Sequence, residues 1–366
     1  MTGLTTFAPV AAGGFGALAL AATLTEPLRR VALRCGLTDR PGAHKTHARA
    51  TPYLGGVAVV LATVVPALAM IGHWTAGLVV LVVAGVVIAA LGLVDDLRPL
   101  GPRVRLLVEA AAALAIVAGG DRIRVFGSPV PDAVLTVGWI VVLTNSFNLL
   151  DNMDGAAAST ATAIAGTLAV FAWISGAIGL AALLAGLAAA CAGFLCHNWP
   201  PARIFMGDTG SLFIGFVIAA ASVQLIGADG GVGALTALGL VTFVATVDTM
   251  LVLISRYANG RAWCQGGADH VSHRLRRLGL DTRQVAFVLF ATAAASSLLG
   301  VLVASGILPA GRLLAGASGT VLTAVTLLLR VPVYTERHRA PSVPVVADPV
   351  RTPGRRRYPV AAGRRS

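Results

Sequence analysis

The sequence predicts an all-α polytopic membrane protein, and three observations carry that reading. Of the 366 residues, 56% are hydrophobic and only 12% charged, with a mean hydropathy of +0.82. Apolar runs recur at lengths that match the roughly 20 residues a helix needs to cross a bilayer. Basic residues collect between alternate runs, the asymmetry that orients membrane helices.

The runs give spans near 8–27, 52–72, 75–94, 104–119, 133–150, 156–174, 177–196, 209–227, 233–255, 284–305 and 307–330. That makes about eleven crossings. The fourth is short and the sixth and seventh lie close together, so ten is the alternative count. The first has no basic leader and no clear cleavage site, and is expected to be retained. Arg29, Arg30, Arg34, Arg40, Lys45 and Arg49 crowd the segment 28–51, and Arg256, Arg261, Arg274, Arg276, Arg277 and Arg283 the segment 256–283. These segments, together with 95–103, 151–155, 197–208 and the C-terminus, are expected in the cytoplasm, and the N-terminus outside.

Residues 1–330 form the expected membrane domain. Residues 331–366 interleave prolines with arginines, including Arg355–Arg357. Such a stretch is too poor in apolar residues for a core and is expected to be a disordered cytoplasmic tail. The outer loop 121–132 alternates Ile123, Arg124 and Val125 before Gly127 and suggests a β-hairpin. The net charge of +12 is spread over loops, so it signals orientation and not a nucleic-acid surface. Cys35, Cys191, Cys196 and Cys264 form no CxxC pair, which argues against a disulfide framework or a zinc site.

Four polar clusters fall at span ends assigned to one membrane face. Carboxylates at a membrane boundary are costly, so they mark functional sites by default. Asn145, Asn148 and Asp151 recur every three residues and share a helix face, whereas Asp154 would face away if the helix continued. Gly155 offers a stop, so the helix is expected to unwind over 151–155. Asp95 and Asp96 end the third span as adjacent carboxylates that repel unless a cation or proton intervenes. Gly207-Asp208-Thr-Gly-Ser211 sets one acid between glycines before the eighth span, an oxygen-rich place for Mg²⁺. Asp269-His270-Val-Ser-His273-Arg274 suits phosphate recognition. His44, Lys45 (the only lysine) and His47 form a second basic cluster.

In order and on one face, these motifs resemble the polyprenyl-phosphate N-acetylhexosamine-1-phosphate transferases, the superfamily containing MraY and WecA. The likeness runs from about Asp39 to Gly279. Asp39-Arg-Pro-Gly-Ala-His44-Lys45-Thr-His47 looks like the family's first cytoplasmic loop, Asp95-Asp96 its aspartate pair, Asn145–Gly155 its NxxNxxDxxDG run, and Gly207–Ser211 its GDxGS. The resemblance implies attack of polyprenyl phosphate on the β-phosphorus of a UDP-N-acetylamino sugar, with release of UMP. It implies that Asp208, helped by Asn148, holds Mg²⁺ (or Mn²⁺), and that Asp95 and Asp96 deprotonate or position the lipid phosphate. Asp151 and Asp154 would shape the nucleotide and sugar pocket. His44, Lys45, His47, Asn145, His270, His273 and Arg274 would contact substrate. A homodimer in the cell membrane fits the resemblance too.

Two departures separate this chain from the MraY branch: the last loop has no run of consecutive histidines, and no lysine follows the aspartate pair. His270, His273, Arg274 and Leu275 align instead with the HxHH-Arg-Leu pattern of relatives acting on UDP-GlcNAc, with Ser272 replacing the middle histidine. An MraY-type transferase of phospho-MurNAc-pentapeptide is the alternative within the family. A transporter or an inactive lipid-binding relative is the alternative outside it. Asp248, near the end of the ninth span, is given a supporting place only.

Overall fold

A computed structural model describes residues 2–39, 51–262 and 267–334. The chain divides into two units, Met1–Val333 and Tyr334–Ser366, and only Tyr334 of the second lies among the described residues. Of the expected tail only residues 331–334 lie among them, and the His44–His47 cluster and Cys264 fall outside.

The larger unit is a helical bundle. Its helices are α1 (Thr2–Arg34), α2 (Gly55–Met70), α3 (Ala76–Leu97), α4 (Pro102–Ala118), α5 (Pro129–Leu150), α6 (Ala156–Ile174), α7 (Ile178–Asn198) and α8 (Gly207–Ile226). There follow α9 (Gly231–Val241), α10 (Phe243–Ala258), α11 (Val271–Arg277), α12 (Thr282–Ala304) and α13 (Ala310–Leu329). Eight of them are long and apolar enough to cross a membrane, or nine if α9 and α10 make one broken span. The chain is thus an all-α multi-pass membrane protein. α2 and α4, with 16 and 17 residues, fall short of that length.

Several elements depart from the sequence reading. The ninth span is broken: α9 and α10 meet at an 81° bend. The first helix runs on to Arg34, so Arg29, Arg30 and Arg34 are helical; Arg29 and Arg30 both bond Glu26 one turn back, at 2.8 and 2.9 Å. The expected hairpin at 121–132 does not form. Asp132 Oδ1 accepts the Val125 and Phe126 amides at 2.9 Å each, and Thr136 Oγ1 accepts that of Ile123 at 2.9 Å. The start of α5 takes the amides that a partner strand would need. A two-residue antiparallel pair, β1 (Thr38–Asp39) with β2 (Thr51–Pro52), forms instead near the end of α1.

α8 is the axis of the bundle, with almost every residue from Thr209 to Val223 buried. α3 and α5 pack against it, and glycines allow the closest approach. A Cβ at Gly92 of α3 would lie 2.4 Å from the Asp208 carbonyl oxygen. Without that methyl the end of α3 reaches the start of α8, which assembles the polar site.

Candidate active site

Gly207 has φ +72°, a left-handed conformation that favours glycine, and it turns the chain sharply into α8. The first amides of a helix lack internal partners. Here no neighbouring side chain caps them; Asp96 does so from α3. Its Oδ1 accepts the Asp208 amide at 2.8 Å, and its Oδ2 accepts the Thr209 amide at 3.0 Å and hydroxyl at 2.7 Å. Asp96 therefore fixes the backbone that carries Asp208.

Asp95 points elsewhere. Its Oδ1 accepts the Leu100 amide at 2.5 Å, which closes the turn between α3 and α4, and its Oδ2 accepts Arg105 Nη1 at 2.7 Å. The pair escapes mutual repulsion by diverging, one carboxylate to a helix N-terminus and the other to a guanidinium. Arg105 Nη1 also bonds Asp208 Oδ2 at 3.0 Å, and its Nη2 lies 3.4 Å from Asn148 Oδ1. Asn148 Nδ2 in turn donates to Asp208 Oδ1 at 2.7 Å and to Ser211 Oγ at 3.1 Å. Oxygens from α3, α5 and α8 thus converge on one cation from α4.

Asp151 caps the end of α5, where the helix unwinds as expected, and α6 begins after Gly155 with φ +74°. The residue is half-buried, and its carboxylate makes no hydrogen bond with a described residue. Desolvation, then the negative charges of Asp208, Asp96 and Asp154, hold it well above the usual carboxylate range. Asp154 accepts the Ala202 amide at 2.9 Å and pins the connection from α7 to α8. Asn145 donates to Val141 O at 3.0 Å and to Glu109 Oε2, a fully buried acid of α4.

The first turn of α11 is joined to this region through Ser272, whose hydroxyl donates to Asn152 Oδ1. Asp248 does more than support: its Oδ2 accepts His270 Nδ1 at 2.8 Å and its Oδ1 the Val271 amide at 2.7 Å, so it fixes the ring and the first turn of α11 together. His273 is half-buried, its nitrogens bond no described residue, and its ring meets that of His270 edge-on at 6.0 Å. Burial first, then the neighbouring His270 and Arg276, push its pKa down to about 4, so it is a neutral imidazole at pH 7.

Arg274 differs from its expected role. It is 1% exposed. Its guanidinium donates to Asp269 O at 3.1 Å, Leu328 O at 2.7 Å, Val331 O at 2.8 Å and Ser255 Oγ at 2.7 Å. These bonds tie α11 to α10 and to the end of α13, and they occupy the guanidinium in the protein interior. Beside it, Arg256 and Asp269 form a buried ion pair at 2.9 Å.

Asp95, Asp96, Asn148, Asp208 and, through electrostatics, Asp151 are therefore brought together. Asp154, Asn145 and Arg274 stand at the periphery as tethers. Arg105 and Glu109 were missed, although each is an ionisable residue within or beside an apolar run, the signal that marked the aspartates.

A divalent cation can be tested against this donor set. Among the described residues no group of three or more His, Cys, Asp or Glu side chains is placed to hold a metal. Mg²⁺, however, takes one or two protein oxygens and completes its shell with water and phosphate. Asp208 and Asn148 supply such oxygens, and the guanidinium between them and Asp95 shows that the spot already attracts positive charge. The donor set fits.

Comparison with known proteins places the chain among glycosyltransferases. The family model described as glycosyl transferase family 4 matches residues 78–226, which span α3 to α8. A Streptomyces coelicolor protein bearing the name glycosyltransferase is 39% identical over 346 residues, covering 92% of this chain and 80% of its own. A Bacillus subtilis relative, named for undecaprenyl-phosphate N-acetylglucosaminyl 1-phosphate transferase activity, is 31% identical, covering 73% and 77%. The Mycobacterium tuberculosis decaprenyl-phosphate N-acetylglucosaminephosphotransferase is 30% identical, covering 73% and 75%.

Proposed function

This chain belongs to glycosyl transferase family 4, and from that premise we propose that it transfers N-acetylglucosamine 1-phosphate from UDP-GlcNAc to a polyprenyl phosphate, releasing UMP. The observation that carries the proposal is the convergence of Asp95, Asn148 and Asp208 on one cationic point at the ends of membrane helices. A reaction between a lipid-borne phosphate and a soluble nucleotide sugar needs its site at that boundary. The names of the relatives supply the sugar and the lipid class.

In the proposed reaction an oxygen of the lipid phosphate attacks the β-phosphorus. The bond to the oxygen bridging the two phosphorus atoms breaks, and UMP leaves with that oxygen. Such transfers rely on positioning and charge neutralisation rather than on covalent help from the protein. Asp208 and Asn148 are assigned to Mg²⁺, with Mn²⁺ as a substitute. The bound ion would neutralise charge on the diphosphate oxygens. With Asp208 engaged by the ion, Arg105 would keep Asp95 and could offer its planar donor fork to phosphate. Asp96 holds the start of α8, and Asp95 orients Arg105 and the incoming lipid phosphate. Asp151, with no hydrogen-bond partner among the described residues, faces the nucleotide sugar, and His273 contacts it as a neutral ring. His44, Lys45 and His47 are assigned to substrate by motif alone.

The reading also includes eleven spans, reached by adding the shorter α2 and α4 to the nine and counting α9 with α10 once. The acid cluster is assigned to the cytoplasmic face of the plasma membrane, where nucleotide sugars are found. The experiment is product analysis with purified protein, undecaprenyl phosphate and Mg²⁺, comparing UDP-GlcNAc, UDP-GalNAc and UDP-MurNAc-pentapeptide. The expected product is undecaprenyl-diphospho-GlcNAc from the first donor. A lipid product from the pentapeptide donor alone would move the chain to the MraY-type reaction.

A further inference from the structure

The far end of the bundle carries a second polar site. Between α4 and α5 the chain passes over Gly120, Arg122, Arg124 and Ser128 around a cavity of about 400 Å³, with Asp132 on its rim. α5 has 22 residues, so at 1.5 Å per residue this end lies about 33 Å from Asp151.

The loop is firmly held. The Arg124 amide donates to Gly227 O at 3.1 Å, and the Gly231 amide donates to Arg124 O at 2.7 Å, which stitches the loop to the turn between α8 and α9. Neither guanidinium, by contrast, has a hydrogen-bond or close ion-pair partner among the described residues, and the charge that acts on both is that of Asp132. Arg122 is half-buried, and its Nε is shut off from solvent with no hydrogen bond. A desolvated N–H without an acceptor is costly, so the cavity favours a ligand that supplies one. Asp132 is the one acid on the rim, and its Oδ1 is engaged by the Val125 and Phe126 amides. Two guanidiniums in one concavity suit the oxygens of a phosphate group.

The surroundings indicate what carries that phosphate. Phe126, Val130 and Val134 are 62%, 72% and 67% exposed beside the arginines. Along a membrane-crossing helix, such apolar side chains face lipid tails. The cavity therefore sits at the level where headgroups begin. We propose that it binds the phosphate of an anionic phospholipid in the leaflet away from the acid cluster, with Arg122 and Arg124 as its ligands.

Full-length protein stripped of lipid in detergent would be titrated with phosphatidylglycerol, phosphatidylcholine or inorganic phosphate, with binding read by native mass spectrometry. Phosphatidylglycerol is expected to bind about tenfold more tightly than phosphatidylcholine, and the R122Q/R124Q variant to lose that preference. Gel filtration and thermal unfolding would show the variant folded. Should it fail to fold, Arg124→Gln, at an exposed position, decides by the same comparison. Equal binding of the two lipids, or a preference that survives the substitutions, overturns the proposal. Competition by inorganic phosphate without any lipid preference would leave a soluble-anion site and overturn the headgroup assignment.

Discussion

The ends of α3, α5 and α8 and the loop leading into α11 carry much the same residue types, yet the structure uses them in opposite ways. Around Asp208 the charges stay reachable: its side chain is 30% exposed, and Asp151 has no hydrogen-bond partner among the described residues. Around Arg274 they are sealed in: Asp269 is 0% and Arg274 1% exposed, with the guanidinium bonded to three carbonyl oxygens and a hydroxyl. A motif letter says which chemistry is available. Packing decides whether that chemistry faces a ligand or holds the protein together.

Substitutions in the two regions should therefore fail differently. Asp208→Asn is expected to lower turnover by about a thousandfold or more, since it removes charge stabilisation at the reacting diphosphate. Its unfolding temperature should move little, because Asp96 still holds the amide of residue 208, Arg105 keeps Asp95, and the asparagine oxygen can still accept from Asn148. Arg274→Ala should do the reverse. It strands buried acceptors and should destabilise the protein by about 3 kcal/mol, measured by thermal unfolding in detergent. A raised KM for the sugar donor at an unchanged unfolding temperature would erase the contrast and return Arg274 to the substrate.

His273 sharpens the comparison, since it sits in the sealed region yet has free ring nitrogens. His273→Ala is expected to raise KM for the UDP-sugar about tenfold with a smaller change in kcat. Its lowered pKa gives a second test. The unfolded chain takes up the proton near 6.5 and the folded protein only near 4. The folded protein thus keeps its full stability above pH 6.5 and loses this contribution as pH falls toward 4. Wild type should lose more unfolding temperature between pH 7 and pH 5 than His273→Asn does. The smallest effect is expected from deleting residues 337–366, with turnover within about twofold of the full chain because no catalytic assignment falls there.

The fold was legible where hydrophobicity alone decides it. Long apolar runs gave nearly every helix, and Gly155 marked the unwinding after Asp151. The bend between α9 and α10 was not legible, because an uninterrupted apolar run reads the same whether it is straight or broken. The outer hairpin was misjudged because the Asp132 and Thr136 side chains, not a second strand, took the amides of 123–126. Within the site, spacing pointed to Asp95, Asp96, Asn148 and Asp208. It could not show that the two adjacent aspartates diverge, one to α8 and one to Arg105. Arg105 escaped notice because a lone basic residue at a span end resembles any other topology signal. Only the tertiary approach at Gly92 gives it three acceptors.

The most direct test of the central claim is UMP release by the purified protein with undecaprenyl phosphate and UDP-GlcNAc, with Mg²⁺ titrated into wild type and Asp208→Asn. Saturable, metal-dependent release by wild type and almost none from a folded Asp208→Asn protein is the expected result. Release that ignores Mg²⁺, or that survives in Asp208→Asn, would contradict the assignment of the cation to the point where α3, α5 and α8 meet.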